Sequence, residues 1–260
     1  MSDPSLRRLA KDVAELARNP LDDSGIFYYH HEDDIRKATA VIRGPEDSLY
    51  QDGYYVFSFE YPTSYPLEPP KVTLLSRAPT IGQTTAASPR SDGRRNYVRL
   101  HPNLYVNGKV CLSMLGTWPG EPWTSCCTIR ILLVVMQSIL DGDPYMNEPN
   151  VRTSDPSHAP YNMAIKFHNL YDGLVAFRRS TLPKLPAELQ ARVTPHVTHS
   201  VGAALARLRA GESELPSGEC WVQLYSFGTR LEYDLLIGLL GSLEELAKDK
   251  LTGSVSTVSA

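Results

Sequence analysis

The chain has 260 residues, which suits one domain of ordinary size with an extension, or two small domains. Apolar residues make up 42% of it and charged residues 21%, a composition that supports a packed core. Its 26 basic and 29 acidic residues give a net charge of -3, without the concentrated basic surface that nucleic-acid binding needs. No apolar stretch reaches the ~20 residues of a membrane helix, and Met1–Leu9 has no signal-peptide core. We expect a cytoplasmic protein, with the nucleus as a second location, that binds neither nucleic acid nor membrane.

The first predicted element is an amphipathic helix over residues 5–18. Its apolar side chains recur at helical spacing, and the basic side chains Arg7, Arg8 and Lys11 fall on the opposite face. Such a basic face is either solvated or a docking surface for an acidic partner, and the pattern alone leaves both interpretations open.

Strands are predicted next, over residues 38–42, 54–61, 71–75 and 97–100, with a long loop over 76–96. In the second strand Tyr55, Phe57 and Phe59 alternate onto one face. A helix that is apolar all round, and therefore buried, is expected over 129–140. Further helices are predicted over 159–178, 186–209 and 231–248, with a linker at 211–219.

Four cysteines are too few for a disulfide scaffold, and they form no Cys-x-x-Cys pair. We therefore expect free thiols, no bound metal and no cofactor. A buried core position is the commonest fate of a free cysteine. Cys111, however, follows the polar segment His101-Pro102-Asn103 and precedes a Gly/Pro-rich loop, which favours a reactive thiol over a dry core.

Four motifs carry a resemblance to the ubiquitin-conjugating enzymes, or E2 enzymes, and they follow one another in the family's order. They are a strand pair, the proline-rich loop after it, an active-site signature and the loop opposite the active-site cysteine. HPNLYVNGKVCLSML (101–115) resembles their active-site signature, and DPYMNEP (143–149) resembles the loop opposite their cysteine. GPEDSLYQDGYYVFSFEYPTSYPLEPPKV (44–72) resembles their strand pair and the proline-rich loop after it. NGKVCLSMLGTWPGEPW and FGTRLEYDLLIGLL are similar to the Z-type E2 enzymes in particular. Ser125 departs from the family pattern, where Pro is usual, and the 76–96 loop is longer than expected.

The resemblance implies an α+β ubiquitin-conjugating (UBC) fold. Its parts are an N-terminal helix, a four-stranded antiparallel meander, an active-site loop and C-terminal helices. The catalytic core is expected over 1–175 and a helical C-terminal extension over 176–260.

The resemblance also implies acyl exchange at a thioester. Cys111 would accept ubiquitin, or a ubiquitin-like modifier, from an E1 enzyme and pass it to a substrate lysine or an E3 ligase. Asn103 would stabilise the oxyanion, or else only pin the loop through backbone bonds. Glu148 would orient the incoming amine or accept its proton, and Tyr145 would either form an apolar wall or pack its loop. His101 and Pro102 would shape the turn.

The partners implied are the modifier, an E1, E3 ligases and protein substrates. Arg7, Arg8 and Lys11 would meet the E1, and Leu67, Trp123 and Ser125 would form the E3 contact. Two other functions compete with this one: a non-catalytic E2-like binding module and a thiol hydrolase, which would need a histidine beside Cys111.

Overall fold

The computed structural model describes residues 3–76, 98–211 and 217–253. Its first element, α1, spans Pro4–Arg18, and the carboxylate of Asp3 caps it by accepting from the Ser5 N–H at 2.9 Å. Leu9 and Leu16 are buried on its inner side. The predicted long loop over 76–96 lies, apart from Ser76, outside the described residues.

An antiparallel sheet follows, with its strands side by side in chain order. The strands are β1 (Ile26–His30), β2 (Lys37–Arg43), β3 (Tyr54–Glu60) and β4 (Lys71–Leu74). Because successive side chains of a strand point to opposite faces, the register sorts the sheet into two faces. Ala40 lies beside Tyr28 and Phe57 on one of them, and Val41 lies beside Phe27 and Val56 on the other.

The inner face packs against the helices and the site. It carries Tyr55, Phe57 and Phe59, all buried. The Tyr55 hydroxyl donates to the Asn169 side chain at 2.7 Å, which ties this face to helix α3 (His158–Leu170). Helix α2 (Ile129–Ser138) begins at the side-chain cap of Thr128 and buries Ile129, Leu132, Leu133 and Met136.

The outer face is also apolar, and helix α4 (Ala187–Arg209) covers it. The Phe27 ring meets His196 with centroids 4.9 Å apart, and the Tyr54 hydroxyl lies 2.9 Å from that of Ser200. Phe27, Val41 and Tyr54 are consequently fully buried. The alternation in β3 predicts that Tyr55, Phe57 and Phe59 share one face, and the structure shows that Tyr54 and Val56 on the other face are buried as well.

The chain reaches the outer face around the start of β3, where two glycines allow a close approach. After α3 it continues as a π-helical segment (Tyr171–Thr181), whose Phe177 stacks on Tyr54 at 5.2 Å. A Cβ on Gly53 would lie 1.8 Å from the Asn169 side-chain oxygen, and one on Gly173 would lie 3.2 Å from Gly53 Cα. Larger residues at either position would force the segment away from the sheet.

The extension ends in a hairpin and a helix. Strands β5 (Gly218–Val222) and β6 (Phe227–Leu231) pair antiparallel, and helix α5 (Tyr233–Gly253) packs beside α4. A buried hydrogen-bond chain holds β6 to the helices: His168 bonds Asp172 through Nδ1 at 2.6 Å and Thr229 through Nε2 at 2.8 Å. The extension is therefore not purely helical.

Several predicted elements need correction. Strand β1 was not predicted, whereas Val98–Leu100 forms no strand. Residues 218–219 belong to β5, not to a linker. Helix α2 is not buried all round, since Ile131 and Val134 are 47% and 46% exposed.

In the part of the chain that the structure describes, no helix is long and apolar enough to cross a membrane. Nor does any cluster of His, Cys, Asp and Glu there suit a metal ion.

A buried carboxylate fastens α4 to the sheet. The Asp52 side chain is 0% exposed and accepts from Arg43 Nη2 at 2.9 Å and from Arg207 Nη2 of α4. Removing one partner of a buried charge pair leaves the other charges uncompensated, which is more costly than losing an exposed pair.

We predict that Asp52→Ala lowers the free energy of unfolding by about 3 kcal/mol in urea denaturation. The matched control is Glu60→Ala, which removes the exposed pair with Lys71 and should cost less than ~1 kcal/mol. Equal small losses in both variants would show that Asp52 does not fasten the extension.

Candidate active site

A tight turn brings Asn103 beside Cys111. The chain turns back between Tyr105 and Lys109, whose N–H donates to the Asn107 side chain at 3.0 Å. Gly108 has a φ of +93°, and a Cβ there would lie 2.8 Å from the Leu74 carbonyl of β4. The Asn107-Gly108 pair thus gives the turn a conformation that Gly adopts without strain, and it fixes the spacing between Asn103 and Cys111.

Two hydrogen bonds join Asn103 to Cys111 across this turn. The Cys111 N–H donates to the Asn103 carbonyl at 2.8 Å, and Asn103 Nδ2 donates to the Cys111 carbonyl at 2.8 Å. Asn103 is buried. The Asn103 side chain therefore holds the loop in place, which agrees with the interpretation that it pins the loop. The amide has two Nδ2 protons, and this hydrogen bond uses only one of them.

His101 shapes the turn and is buried in full. Its Nδ1 accepts from the Asn103 N–H at 2.9 Å, so this nitrogen carries no proton. Burial lowers the pKa of His101 to about 3, so the ring is neutral at physiological pH. Pro102, also buried, offers its carbonyl to the Arg99 guanidinium.

The segment after the cysteine folds back toward it. The Thr117 hydroxyl donates to the Val110 carbonyl at 2.7 Å and accepts from the Leu112 N–H at 3.0 Å. A single side chain therefore satisfies backbone groups on both sides of Cys111. Thr117 lies within the NGKVCLSMLGTWPGEPW segment that resembles the Z-type enzymes, but the sequence does not reveal this contact.

Cys111 itself is 1% exposed. Within the described residues, no histidine hydrogen-bonds to its thiol, and His101 is turned toward Asn103. The arrangement lacks the thiol–imidazole pair that a cysteine hydrolase requires.

Tyr145 packs inside its own loop. It lies in the gate loop, residues 143–149, is 2% exposed, and contacts His158 and Tyr161 at ring distances of 5.4 and 5.9 Å. Its hydroxyl donates to Asp155 at 3.4 Å. These contacts favour loop packing over an exposed apolar wall.

Glu148, also in the gate loop, is half-buried and held by the extension. The Tyr225 hydroxyl, in the turn between β5 and β6, donates to Glu148 Oε2 at 2.5 Å. Among the described residues, no hydrogen bond joins Glu148 to Cys111 or Asn103. Tyr225 was not singled out from the sequence, because its partner lies 77 positions away.

The basic face of α1 is smaller than the spacing suggested. Arg7 and Lys11 are exposed. Arg8 instead turns inward, where it pairs with Asp12 at 3.0 Å and donates to the carbonyls of Ser125 and Cys127, both at 2.6 Å. Arg8 therefore holds α1 to the loop before α2 and is less available to a docking partner than Arg7 and Lys11.

The residues expected to contact an E3 divide into an exposed and a buried set. Leu67 is 76% exposed, and Ser125 is exposed beside the Arg8 contact. Trp123 is only 8% exposed and donates from its indole nitrogen to the Pro66 carbonyl at 2.8 Å. Trp123 thus supports the Leu67 loop from beneath.

A family model described as ubiquitin-conjugating enzyme matches residues 8–159, and the chain belongs to this family. Together with the meander and its helices, the match confirms the predicted UBC fold.

Among curated relatives, ubiquitin-conjugating enzyme E2 Z of Homo sapiens is 38% identical over 144 residues, or 55% of this chain and 36% of that protein. This confirms the resemblance to Z-type enzymes at moderate identity. Probable ubiquitin-conjugating enzyme E2 R521 of Acanthamoeba polyphaga mimivirus is 25% identical over 256 residues, or 92% of this chain and 16% of that protein. The chain thus spans well under half of either relative. The structure of human ubiquitin-conjugating enzyme E2 G1 is similar with a TM-score of 0.40 and 27% identity, covering 54% of this chain and 97% of that one.

The buried imidazole of His101 predicts a pH dependence of stability. Below pH ~6.5 the unfolded chain protonates this ring, whereas the folded chain does not until the pH nears about 3. The folded state therefore loses stability as the pH falls through this window, by up to ~1.4 kcal/mol per pH unit, and this contribution is absent above it.

We expect His101→Asn to be less stable than the parent at pH 7, with a gap that narrows between pH 6.5 and 4. Urea unfolding at each pH measures it. Leu100→Ala, a buried truncation next to the site, is the control and should keep a constant gap. A constant gap for His101→Asn would contradict a buried, neutral imidazole.

Proposed function

We propose that this chain accepts ubiquitin, or a ubiquitin-like modifier, from an E1 as a thioester on Cys111 and passes it to a lysine or an E3. The observation that carries the proposal is the pairing of Asn103 with Cys111 across the Asn-Gly turn, inside the family-matched region. The Asn103 amide donates to the backbone carbonyl of the residue that we propose as the nucleophile, which supports a role for this amide in the reaction.

Charging replaces one thioester with another. The Cys111 thiol loses its proton, attacks the E1-bound carbonyl, and the E1 thiolate leaves. Because Cys111 is 1% exposed, its surroundings must open before an E1 can reach the sulfur. We expect the segment Ser113–Thr117 to move, since the Thr117 hydroxyl bonds the backbone on both sides of the cysteine.

Transfer to lysine generates a tetrahedral oxyanion. An amide N–H aimed at that oxygen stabilises it, typically by a few kcal/mol. We assign this role to Asn103 Nδ2, through the proton that the Cys111 carbonyl does not use or by release from that carbonyl. The attacking amine must be neutral, and Glu148 is the group we propose to orient it and accept its proton.

Partner surfaces follow the exposed residues. Arg7 and Lys11 are proposed to contact the E1, and Leu67 and Ser125 are proposed to contact the E3. The substrates would be proteins of the cytoplasm and nucleus.

Charge reversal at Arg7 and Lys11 should slow charging most at low salt, since exposed charges are screened within ~8 Å at physiological ionic strength.

One observation favours a second function. The burial of Cys111 suits a non-catalytic E2-like module that binds pathway components without forming a thioester. Charging with purified E1 separates the two functions directly.

With E1, ATP and a panel of modifiers, we predict a reductant-sensitive adduct on a non-reducing gel. Cys111→Ser should give an oxyester that survives reductant, because oxygen replaces sulfur in the bond. Cys126→Ser is the matched control, as Cys126 is an exposed thiol that should leave charging unchanged. An adduct that persists in Cys111→Ala, or no adduct from the wild-type chain, would end the proposal.

Asn103→Ala should reduce lysine discharge about 100-fold once the enzyme is charged, because one oxyanion donor contributes that much. Discharge from preformed thioester into free lysine measures it. Asn103→Asp keeps the size and an acceptor but loses the amide protons, so it should be as slow. If either variant folds normally and discharges at the parent rate, Asn103 serves the loop alone.

A further inference from the structure

The hairpin of the extension meets the active-site region at its turn. The Leu224 N–H donates to the Ser157 hydroxyl at 3.1 Å, and the Cys220 thiol donates to the Pro160 carbonyl at 3.3 Å. Thr229 joins the buried His168 on the same side. Three separate contacts thus fix the hairpin against α3 and the loop before it, so the side chain of Tyr225 has a defined position.

The Tyr225 ring occupies a stack that reaches the Cys111 turn. It lies against Tyr161 with centroids 5.3 Å apart and under the Arg99 guanidinium at 4.9 Å. Arg99 in turn lies 3.7 Å over the Tyr105 ring and donates to the Pro102 carbonyl. A guanidinium between two aromatic faces gains cation–π attraction on both sides. Through Arg99, the stack therefore links the hairpin to Pro102 and Tyr105, which lie on either side of Asn103.

The Tyr225 hydroxyl reaches the other side of the site. It donates to Glu148 at 2.5 Å, a charge-assisted bond of the stronger kind. Burial, followed by this contact with the carboxylate, raises the pKa of Tyr225, so the hydroxyl keeps its proton and stays a donor at physiological pH. Among the described residues, no other side chain hydrogen-bonds to Glu148.

We propose that Tyr225 is a positioning residue for transfer, because it fixes the Glu148 carboxylate relative to the turn that holds Asn103 and Cys111. This inference rests on the proposed function. It also gives the extension a part in the chemistry, since Tyr225 lies in the extension and bonds a residue of the gate loop. A misplaced catalytic group loses rate even when substrate binding is intact.

The test uses the full chain, charged with modifier and freed of E1 and ATP, and measures discharge over a range of lysine concentrations. Tyr225→Phe keeps the ring and its stack and removes only the bond to Glu148. We expect about a tenfold lower maximal rate, the equivalent of one charge-assisted hydrogen bond, with little change in the lysine concentration for half-maximal rate. Leu224→Ala, an exposed neighbour in the same turn, is the control and should discharge at the parent rate.

A double variant separates positioning from general stability. If Tyr225 acts through Glu148, Tyr225→Phe combined with Glu148→Gln should discharge no more slowly than Glu148→Gln alone. Losses that multiply, or a Tyr225→Phe protein that discharges at the parent rate, would overturn the inference and leave Cys111 charging intact. A wild-type chain that never charges would remove the proposed function and this inference with it.

Discussion

Burial of both faces of the four-stranded sheet is the constraint on which the rest of the structure depends. Phe27, Val41 and Tyr54 project from the outer face of the sheet, and apolar area of this size cannot remain in water without a large cost in free energy. Helix α4 removes it from solvent, and Asp52 fixes the helix through Arg207. The extension is thus part of the same hydrophobic core as the family-matched region.

The route of the chain connects this cover to the site. The segment that leaves α3 passes Gly53 and lays α4 on the outer face, and the chain then returns as a hairpin beside α3. The return brings Tyr225 against the gate loop. One continuous stretch of chain therefore packs α4 on the outer face of the sheet and positions Tyr225 against the gate loop. A change that displaces α4 should also disturb the gate loop, and the reverse should hold as well.

Local patterns were predictable and long-range ones were not. The helix over 5–18 and the Asn-Gly turn follow from spacing within a few residues, and the family motifs supplied Asn103 and Cys111. Arg8 looked solvated because nothing in its own helix reveals carbonyls 117 and 119 positions away. The burial of Tyr54 and the contact of Tyr225 depend in the same way on segments remote in sequence. Strand β1 is short, and its half-exposed tyrosines and histidine give it no clear apolar alternation.

The covering of the sheet by α4 has a consequence for synthesis of the chain. The meander is complete by Leu74, yet the residues that shield its outer face, beginning with Phe177, are translated more than 100 positions later. At ~5–20 residues per second, the stretch from Leu74 to the end of α4 at Arg209 takes roughly 7 to 27 s to translate, and Phe27 and Tyr54 are not covered by α4 during that time. During that interval the nascent chain presents a broad apolar surface beside strands that are already able to pair. A chaperone that binds extended apolar segments would act during that interval. Its binding surface would be covered once α4 emerges and packs on the sheet.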